Sequence, residues 1–190
     1  MAELAASLKK VNLVPGPAES LIPQSFEPKT QLKVAYAGQD VSLGNLLRRS
    51  HVSPDAPSIS FNGLSDSDAS ASYLFMLIDP DAPTPEDPKF AFWRHWVISG
   101  LKPDTVADGR TPALTEYLGP GPKPESNPHR YLFLLFLEPT GLKLSKEDVG
   151  GEEFVQRRSF DAAAFVKKHG LVLVGANWMN CADDEWVPTT

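Results

Sequence analysis

Two histidines and an aspartate lie where proline-rich loops meet apolar segments of the chain. Asp79 directly follows the apolar run 73–78, His95 lies near the start of a second apolar segment, and His129 precedes a third. A protonated imidazole donates hydrogen bonds to an anion and carries positive charge below a pKa of about 6.5. A carboxylate would repel the same anion, so we expect Asp79 to accept a proton from one imidazole and to favour its charged form. These residue types predict an anion-binding site, provided that the three segments are neighbours in the fold.

The same residues could instead serve catalysis, because two histidines and one aspartate can form a facial metal site that activates water. The sequence contains neither the HExxH spacing nor the GxSxG nucleophile motif. In Gly119-Pro120-Gly121-Pro122 the prolines remove amide donors that a phosphate-binding loop needs. Cys181 has no histidine close to it in the sequence, so we expect a buried, unreactive thiol. We therefore expect a binding protein without catalytic residues, resident metal or cofactor.

Alternating and continuous apolar segments predict the strands that must position these residues. Residues 32–36 alternate between apolar and polar, which is typical of a strand with one buried face. The runs 73–78 and 131–137 are almost entirely apolar, which favours strands buried on both faces. Prolines are concentrated between residues 79 and 128, so that region should be mostly loop with one strand inside it. Further strands are expected at residues 58–61, 93–99 and 171–175.

Two segments have the apolar spacing of short amphipathic helices, one within residues 2–11 and one at 159–169. Residues 12–30 are punctuated by proline and predict an extended arm. Strands do not alternate with long helices, which argues against a doubly wound α/β fold. The predicted fold class is therefore mainly β, as a single domain over residues 1–190 in which residues 1–28 form an N-terminal helix and extended arm.

The composition and charge of the chain exclude several classes of function. Lys and Arg number 18 and Asp and Glu number 24, which gives a net charge of -6 without a basic stripe. A nucleic-acid-binding protein needs such a stripe, so nucleic acid is not an expected partner. The single cysteine allows no intrachain disulfide, and no apolar run is long enough to span a bilayer as a helix. With no signal-peptide core near its start, the chain is expected to be cytoplasmic and at most peripheral to membranes.

Four segments together resemble the signature of the phosphatidylethanolamine-binding protein family. They are Asp79-Pro80-Asp81-Ala82-Pro83, Trp93-Arg94-His95, Gly119-Pro120-Gly121-Pro122 and His129-Arg130-Tyr131, in this order. The resemblance implies an antiparallel β-sandwich with one or two short peripheral helices and a small anion pocket. It also implies a cis peptide bond before Pro83. Carried across by position, the ligand-binding residues are Asp79, His95, His129, Trp93, Gly121, Pro122 and Tyr131, and the residues that brace the loops are Asp81, Pro83 and Arg130.

The resemblance also implies a protein that binds a phosphate, phosphoethanolamine or phospholipid headgroup and inhibits or regulates a partner protein. The N-terminal arm and residues 40–45 are most similar to the fungal carboxypeptidase Y inhibitor branch, which makes a serine carboxypeptidase the expected partner. The alternatives are a regulator of a kinase pathway or a phospholipid carrier and, less favoured, a metal-dependent hydrolase. If the arm carries inhibition, deletion of residues 1–26 should weaken inhibition and leave the domain folded. Arg94, beside His95, is expected to add positive charge at the pocket rim.

Overall fold

A five-stranded sheet forms the centre of the molecule in a computed structural model that describes residues 2–64 and 70–188. The strands are β1 (Lys33–Tyr36), β2 (Gln39–Asp40), β3 (Leu46–Arg48), β4 (Ser58–Ser60), β5 (Tyr73–Asp79), β6 (Trp93–Leu101), β7 (His129–Leu137) and β8 (Val172–Ala182). The helices are α1 (Ala2–Lys10), α2 (Arg49–Val52) and α3 (Ala162–Lys168), with a 3-10 helix at Phe154–Arg157. The central sheet has the order β3-β8-β7-β5-β6, and a smaller sheet has the order β2-β1-β4. Neighbouring strands are antiparallel except for β3 and β8.

The central sheet is covered on both faces, which explains why its middle strands are apolar throughout. Every residue of β5 is buried, and successive side chains of a strand face opposite sides of a sheet. Phe75 packs in one cluster with Val34 of the small sheet. Met76 packs in a second cluster with Leu8 of α1 and Phe165 of α3. The predicted β-sandwich is confirmed, and the N-terminal segment and α3 form a further layer on its outer face.

Residues 11–22 form a series of turns rather than the extended arm that their prolines predict. Leu8, Leu13 and Ile22 are each no more than 2 % exposed and pack against the central sheet. Because these side chains belong to the core, deletion of residues 1–26 would uncover one face of the sheet. The structure therefore argues against the expectation that the shortened domain stays folded.

Strand β8 is 11 residues long, whereas the sequence predicts a strand only at 171–175. Asn177 and Asn180 interrupt the apolar pattern and so hide the second half of the strand. In the structure their side-chain amides donate to the backbone oxygens of Val41 (2.9 Å) and Gly44 (2.8 Å). The second half of β8 thereby holds the loop before β3 against the central sheet.

Helix α3 begins at Ala162, inside the predicted range 159–169. Asp161 caps the helix, because its Oδ1 accepts a hydrogen bond from the Ala164 amide at 2.9 Å. The amide of Ser159, before the cap, donates to the backbone oxygen of Phe90 at 3.0 Å. The residues that precede α3 are therefore tied to the loop that leads into β6.

Candidate functional site

Three neighbouring strands bring the predicted site residues to one end of the central sheet. β5 runs antiparallel to both β6 and β7, so its last residue lies beside the first residues of both neighbours. Asp79 ends β5 opposite Trp93, and His129 and Tyr131 lie at the start of β7. The three segments are therefore neighbours in the fold, which is the condition on which the predicted site depends.

A β-bulge in β6 presents His95 to the site. Leu77 of β5 pairs with Trp96, but the next residue, Ile78, pairs with Arg94, which leaves His95 as the extra residue. Trp96 packs in the cluster beneath the small sheet, and His95 lines a cavity at the strand end. The bulge thus allows consecutive residues of one strand to serve the core and the site.

His129 is held between a carboxylate and a hydroxyl group. Its Nδ1 lies 2.8 Å from Oδ2 of Asp79, and its Nε2 lies 3.0 Å from Oγ of Ser126. Because the Ser126 hydroxyl donates to the backbone oxygen of Asn127 (2.9 Å), Oγ accepts a hydrogen bond from His129. Burial lowers the pKa of His129, but the hydrogen bond to Asp79 and the Asp79 charge outweigh burial and raise that pKa above its ordinary value. Asp79 thus accepts a hydrogen bond from His129 and favours its charged form, which is the indirect role expected of Asp79. Both ring nitrogens of His129 are protonated.

His95 has the opposite electrostatic state. Its Nδ1–H donates to the backbone oxygen of Leu118 at 2.6 Å, and the residue is 4 % exposed. Burial lowers the pKa of His95 to about 4, and the opposing effects of the Asp79 charge and the Leu118 carbonyl do not restore it. At neutral pH the Nε2 of His95, which has no partner in the described part of the chain, is therefore a hydrogen-bond acceptor. The expectation that both imidazoles become charged near pH 6.5 is wrong for His95.

Arg130 and Asp81 hold the loop after β5 against the start of β7. Arg130 Nε and Nη2 donate to Oδ2 and Oδ1 of Asp81 at 2.8 and 2.5 Å, and the Arg130 amide adds a bond of 2.7 Å. Arg130 Nη1 donates to the backbone oxygen of Val11 at 2.8 Å, which ties in the segment after α1. The peptide bond between Ala82 and Pro83 is cis, as expected. These contacts match the bracing role predicted for this loop.

A cavity of about 490 Å³ opens at this end of the sheet. Pro83 lines it, but Pro122, predicted at its rim, is buried and lies outside the wall. Arg94 also lies outside, because it is 1 % exposed and its Nη2 donates to the Gly151 oxygen at 2.6 Å. The expectation that Arg94 adds charge at the rim is therefore wrong. The predicted ligand-binding residues that do line the cavity are Asp79, Trp93, His95, Gly121, His129 and Tyr131.

The cavity wall contains three cations that sequence reasoning missed, namely Arg49, Lys123 and Arg158. They come from α2, from the loop before β7 and from the residue after the 3-10 helix. Nothing in their spacing indicates that they converge, because they lie far apart in the sequence and belong to three different segments of the chain. Among the described wall residues Asp79 is the single carboxylate, and it is paired with His129. Arg49 lies 3.6 Å from Asp183 and Lys123 lies 3.9 Å from Glu125, whereas Arg158 is in no ion pair among the described residues. The residues of the wall therefore carry a net positive charge although the chain as a whole is negative.

Uncharged donors complete the wall. The indole Nε1–H of Trp93 is buried and has no hydrogen-bond partner among the described residues. Within residues 2–64 and 70–188 the amides of Gly119 and Gly121 also donate to no protein acceptor. A Cβ on Gly119 would lie 2.8 Å from the Cβ of Ser53, so glycine is required for the close approach of these loops. The arrangement offers donors and positive charge to the oxygen atoms of an anion.

Comparison with known proteins agrees with the motifs and the fold. The sequence profile described as phosphatidylethanolamine-binding protein matches residues 23–177. The chain belongs to the phosphatidylethanolamine-binding protein family. Among solved structures it is similar to a carboxypeptidase Y inhibitor complexed with its cognate proteinase, with 26% identity and a TM-score of 0.75 over 95% of each chain. It shares the fold of the phosphatidylethanolamine-binding protein from Plasmodium vivax, with 23% identity and a TM-score of 0.74 over 95% of this chain and 97% of that chain.

The residues that could serve catalysis in this phosphatidylethanolamine-binding family member are engaged or buried. Both ring nitrogens of His129 and Nδ1 of His95 already make hydrogen bonds within the protein, so they do not present a ready facial metal site. Cys181 is buried, and burial raises the pKa of its thiol to about 12. The thiol therefore stays protonated at neutral pH, as the sequence predicts.

Proposed function

We propose that this family member is a non-catalytic protein that holds a phosphate-like anion in the cavity at the end of β5. The observation that carries the proposal is the chemistry of the wall, in which three cations line the same cavity as donors from Trp93 and the glycine loop. The one wall carboxylate, Asp79, is compensated by His129. Hydrogen bonds between charged groups contribute roughly 1.5–3 kcal/mol each, so a few of them suffice to bind a small anion.

The charge distribution makes the anion site local rather than general. The net charge of the chain is -6, so most of its surface repels anions. The cavity reverses this because Arg49, Lys123 and Arg158 face it together. We expect affinities for inorganic phosphate in the micromolar-to-millimolar range, which is usual for a small ligand with few contacts.

Calorimetric titration with inorganic phosphate tests the anion site. Lys123→Glu reverses one charge at the cavity, and Lys9→Glu makes the same charge change on the exposed side of α1. We expect Lys123→Glu to weaken phosphate binding at least about tenfold and Lys9→Glu to leave it unchanged. A wild-type protein that does not bind phosphate, or equal losses in the two variants, would overturn the proposed site.

We further propose that the regulated partner is a serine carboxypeptidase. The support is the similarity to a carboxypeptidase Y inhibitor, which covers 95% of both chains. In this chain α1 turns Leu4 and Leu8 inward and leaves Ala5, Ala6 and Lys9 exposed. The exposed side of α1 can therefore contact a partner without disturbing the core.

Inhibition of carboxypeptidase Y by the purified chain tests the partner. We expect inhibition that saturates at one inhibitor per enzyme, and we expect the double variant Ala5→Arg/Ala6→Arg to weaken it. Lys123→Glu should leave inhibition intact, because the cavity lies at the end of β5 and not beside α1. Absence of inhibition by the folded wild-type chain would contradict this partner and would leave the anion site standing.

The mouth of the cavity favours a lipid-headgroup carrier or kinase-pathway regulator as the second candidate. Phe154 is 56% exposed and Val155 is 61% exposed on the 3-10 helix beside the cationic wall. Exposed apolar residues next to cations suit the interface of a bilayer. No helix in the described part of the chain is long and apolar enough to cross one. For this candidate Lys123→Glu should abolish the effect on the partner, and Ala5→Arg/Ala6→Arg should not.

A further inference from the structure

The guanidinium group of Arg158 lies among three aromatic rings at the cavity. Its Cζ is 4.6 Å from the ring centroid of Phe90, 5.8 Å from that of Trp93 and 6.0 Å from that of Phe154. The rings of Trp93 and Phe154 meet edge to face, with 5.0 Å between centroids. All four side chains belong to the cavity wall. The rings form an aromatic cage, and a cation of the chain itself occupies it.

The chain is anchored on both sides of Arg158, which positions the base of its exposed side chain beside the cage. The preceding residue, Arg157, is 8% exposed, and its Nη1 and Nη2 donate to the backbone oxygens of His95 (3.0 Å) and Glu116 (2.9 Å). The following residue, Ser159, donates its amide to the Phe90 oxygen at 3.0 Å. Arg158 therefore lies between two fixed points of the chain.

Aromatic cages can bind alkylammonium ligands, because the faces of aromatic rings attract a cation. In this chain the Arg158 guanidinium already occupies the cage in which such a ligand would bind. An ammonium group that entered would have to displace Arg158 or lie close to Arg49 and Lys123, which share the wall. A phosphate group meets the opposite situation, because no carboxylate in residues 2–64 and 70–188 forms an ion pair with Arg158. The Arg158 charge is available to an anion.

We propose that Arg158 is a specificity-determining residue that makes the cavity select phosphate esters without an ammonium group over zwitterionic phosphoethanolamine and phosphocholine. This inference rests on the proposed anion site. A phosphate monoester carries a charge of about −1.5 to −2 at neutral pH. Arg158, which is in no ion pair among the described residues, complements that charge together with Arg49, Lys123 and the compensated Asp79–His129 pair. An added ammonium lowers the net charge of the ligand and finds the aromatic cage occupied.

Calorimetric titration with glycerol 3-phosphate, phosphoethanolamine and phosphocholine tests the selectivity, because all three carry the same phosphate monoester. We expect the wild-type chain to bind glycerol 3-phosphate at least about tenfold more tightly than phosphocholine. Arg158→Leu should weaken glycerol 3-phosphate binding and strengthen phosphocholine binding, because it empties the cage and removes a cation. Arg158→Gln serves the same purpose if the leucine variant does not fold.

Arg49→Leu is the matched control. Arg49 lines the same cavity, but its contact is with Asp183 at 3.6 Å and not with the aromatic cage. Arg49→Leu should weaken the binding of both glycerol 3-phosphate and phosphocholine, and it should not strengthen phosphocholine binding. If the wild-type chain binds none of the three ligands, the proposed anion site itself fails. If it binds glycerol 3-phosphate but binds phosphocholine as tightly, or if Arg158→Leu gains no phosphocholine affinity, only the selectivity role of Arg158 fails.

A vesicle arm identifies the source of the phosphate ester. Flotation with phosphatidylcholine vesicles is compared with flotation after part of the lipid is replaced by phosphatidic acid. Wild-type recruitment that depends on phosphatidic acid, with that dependence lost in Arg158→Leu, supports a lipid headgroup, presented beside the exposed Phe154. Glycerol 3-phosphate binding without recruitment supports a free phosphate ester. Recruitment to pure phosphatidylcholine vesicles by the wild-type chain would overturn the proposed selectivity.

Discussion

At the scale of single residues, two histidines in one cavity differ in charge because their neighbours differ. Both are 4% exposed, yet His129 contacts the Asp79 carboxylate and His95 contacts a backbone carbonyl. A carboxylate offsets the effect of burial on an imidazolium by its charge, and a carbonyl does not. The sequence identifies both histidines as site residues. It does not say which of them reaches Asp79, because that depends on the register of three strands.

Replacement of Asp79 by asparagine should lower the pKa of His129 to below its ordinary value. The variant keeps the size of the side chain but removes the negative charge that outweighs burial. Histidine titration by NMR checks this, and the signals of the exposed His51 should be the same in both proteins. An unchanged titration of His129 would show that Asp79 does not stabilise the positive charge of His129.

His95 should make the protein less stable in mild acid. Its pKa is near 6.5 in the unfolded chain and about 4 in the fold, so between these values the unfolded chain binds more protons. Its stability contribution is therefore complete above pH 6.5 and is lost as the pH falls toward 4. The unfolding free energy of the wild type should fall between about pH 7 and pH 4.5, and about 2 kcal/mol of this fall should be absent in His95→Gln. The glutamine side chain can still donate to the Leu118 oxygen.

Urea denaturation of both proteins at the two pH values measures this difference. The comparison at neutral pH gives the cost of the substitution that does not depend on pH. Equal losses of stability on acidification in the wild type and in His95→Gln would contradict a buried neutral His95.

At the scale of elements, the N-terminal segment shows the limit of local patterns. The apolar spacing predicts α1 correctly, but prolines fit both extended chain and turns. What decides for turns at residues 11–22 is the apolar face of the central sheet, which Leu13 and Ile22 cover. For the same reason the sequence predicts only the first part of β8. Asn177 and Asn180, which hold the loop before β3, look like breaks in a strand when only the local pattern is considered. Long-range packing, not propensity, sets these boundaries.

Helix α1 should contribute to the stability of the whole domain. Leu8 is 2% exposed and packs on the outer face of the central sheet, so Leu8→Ala should lower the unfolding free energy by about 2–5 kcal/mol. Lys9→Ala on the exposed side of the same helix should change it by about 0.5 kcal/mol or less. Urea denaturation distinguishes the two. A Leu8→Ala variant as stable as Lys9→Ala would mean that α1 is an appendage and that its deletion is tolerated.

At the scale of the whole molecule, the motifs predict the family, the sandwich and the residues at the ends of β5, β6 and β7. They do not predict the charge of the site. Arg49, Lys123 and Arg158 belong to none of the four motifs, and the three segments that carry them are distant in sequence and meet only in the fold. Adjacent arginines at 157 and 158 are a signal in the sequence, but it does not show that Arg157 is buried and Arg158 faces the cavity. A chain of net charge -6 therefore carries a positive site that composition conceals.

The sulfate affinity of the intact chain between about pH 5 and pH 9 is the most direct test of an anion site built on the Asp79–His129 pair. Sulfate stays doubly charged over this range, so a change in affinity reports on the protein. Affinity should be constant below the raised pKa of His129 and should fall about tenfold above it, as the pair goes from neutral to negative. His129→Gln should bind weakly at every pH. A wild-type affinity that does not change with pH, or a His129→Gln variant that binds sulfate as tightly as the wild type, would contradict the account.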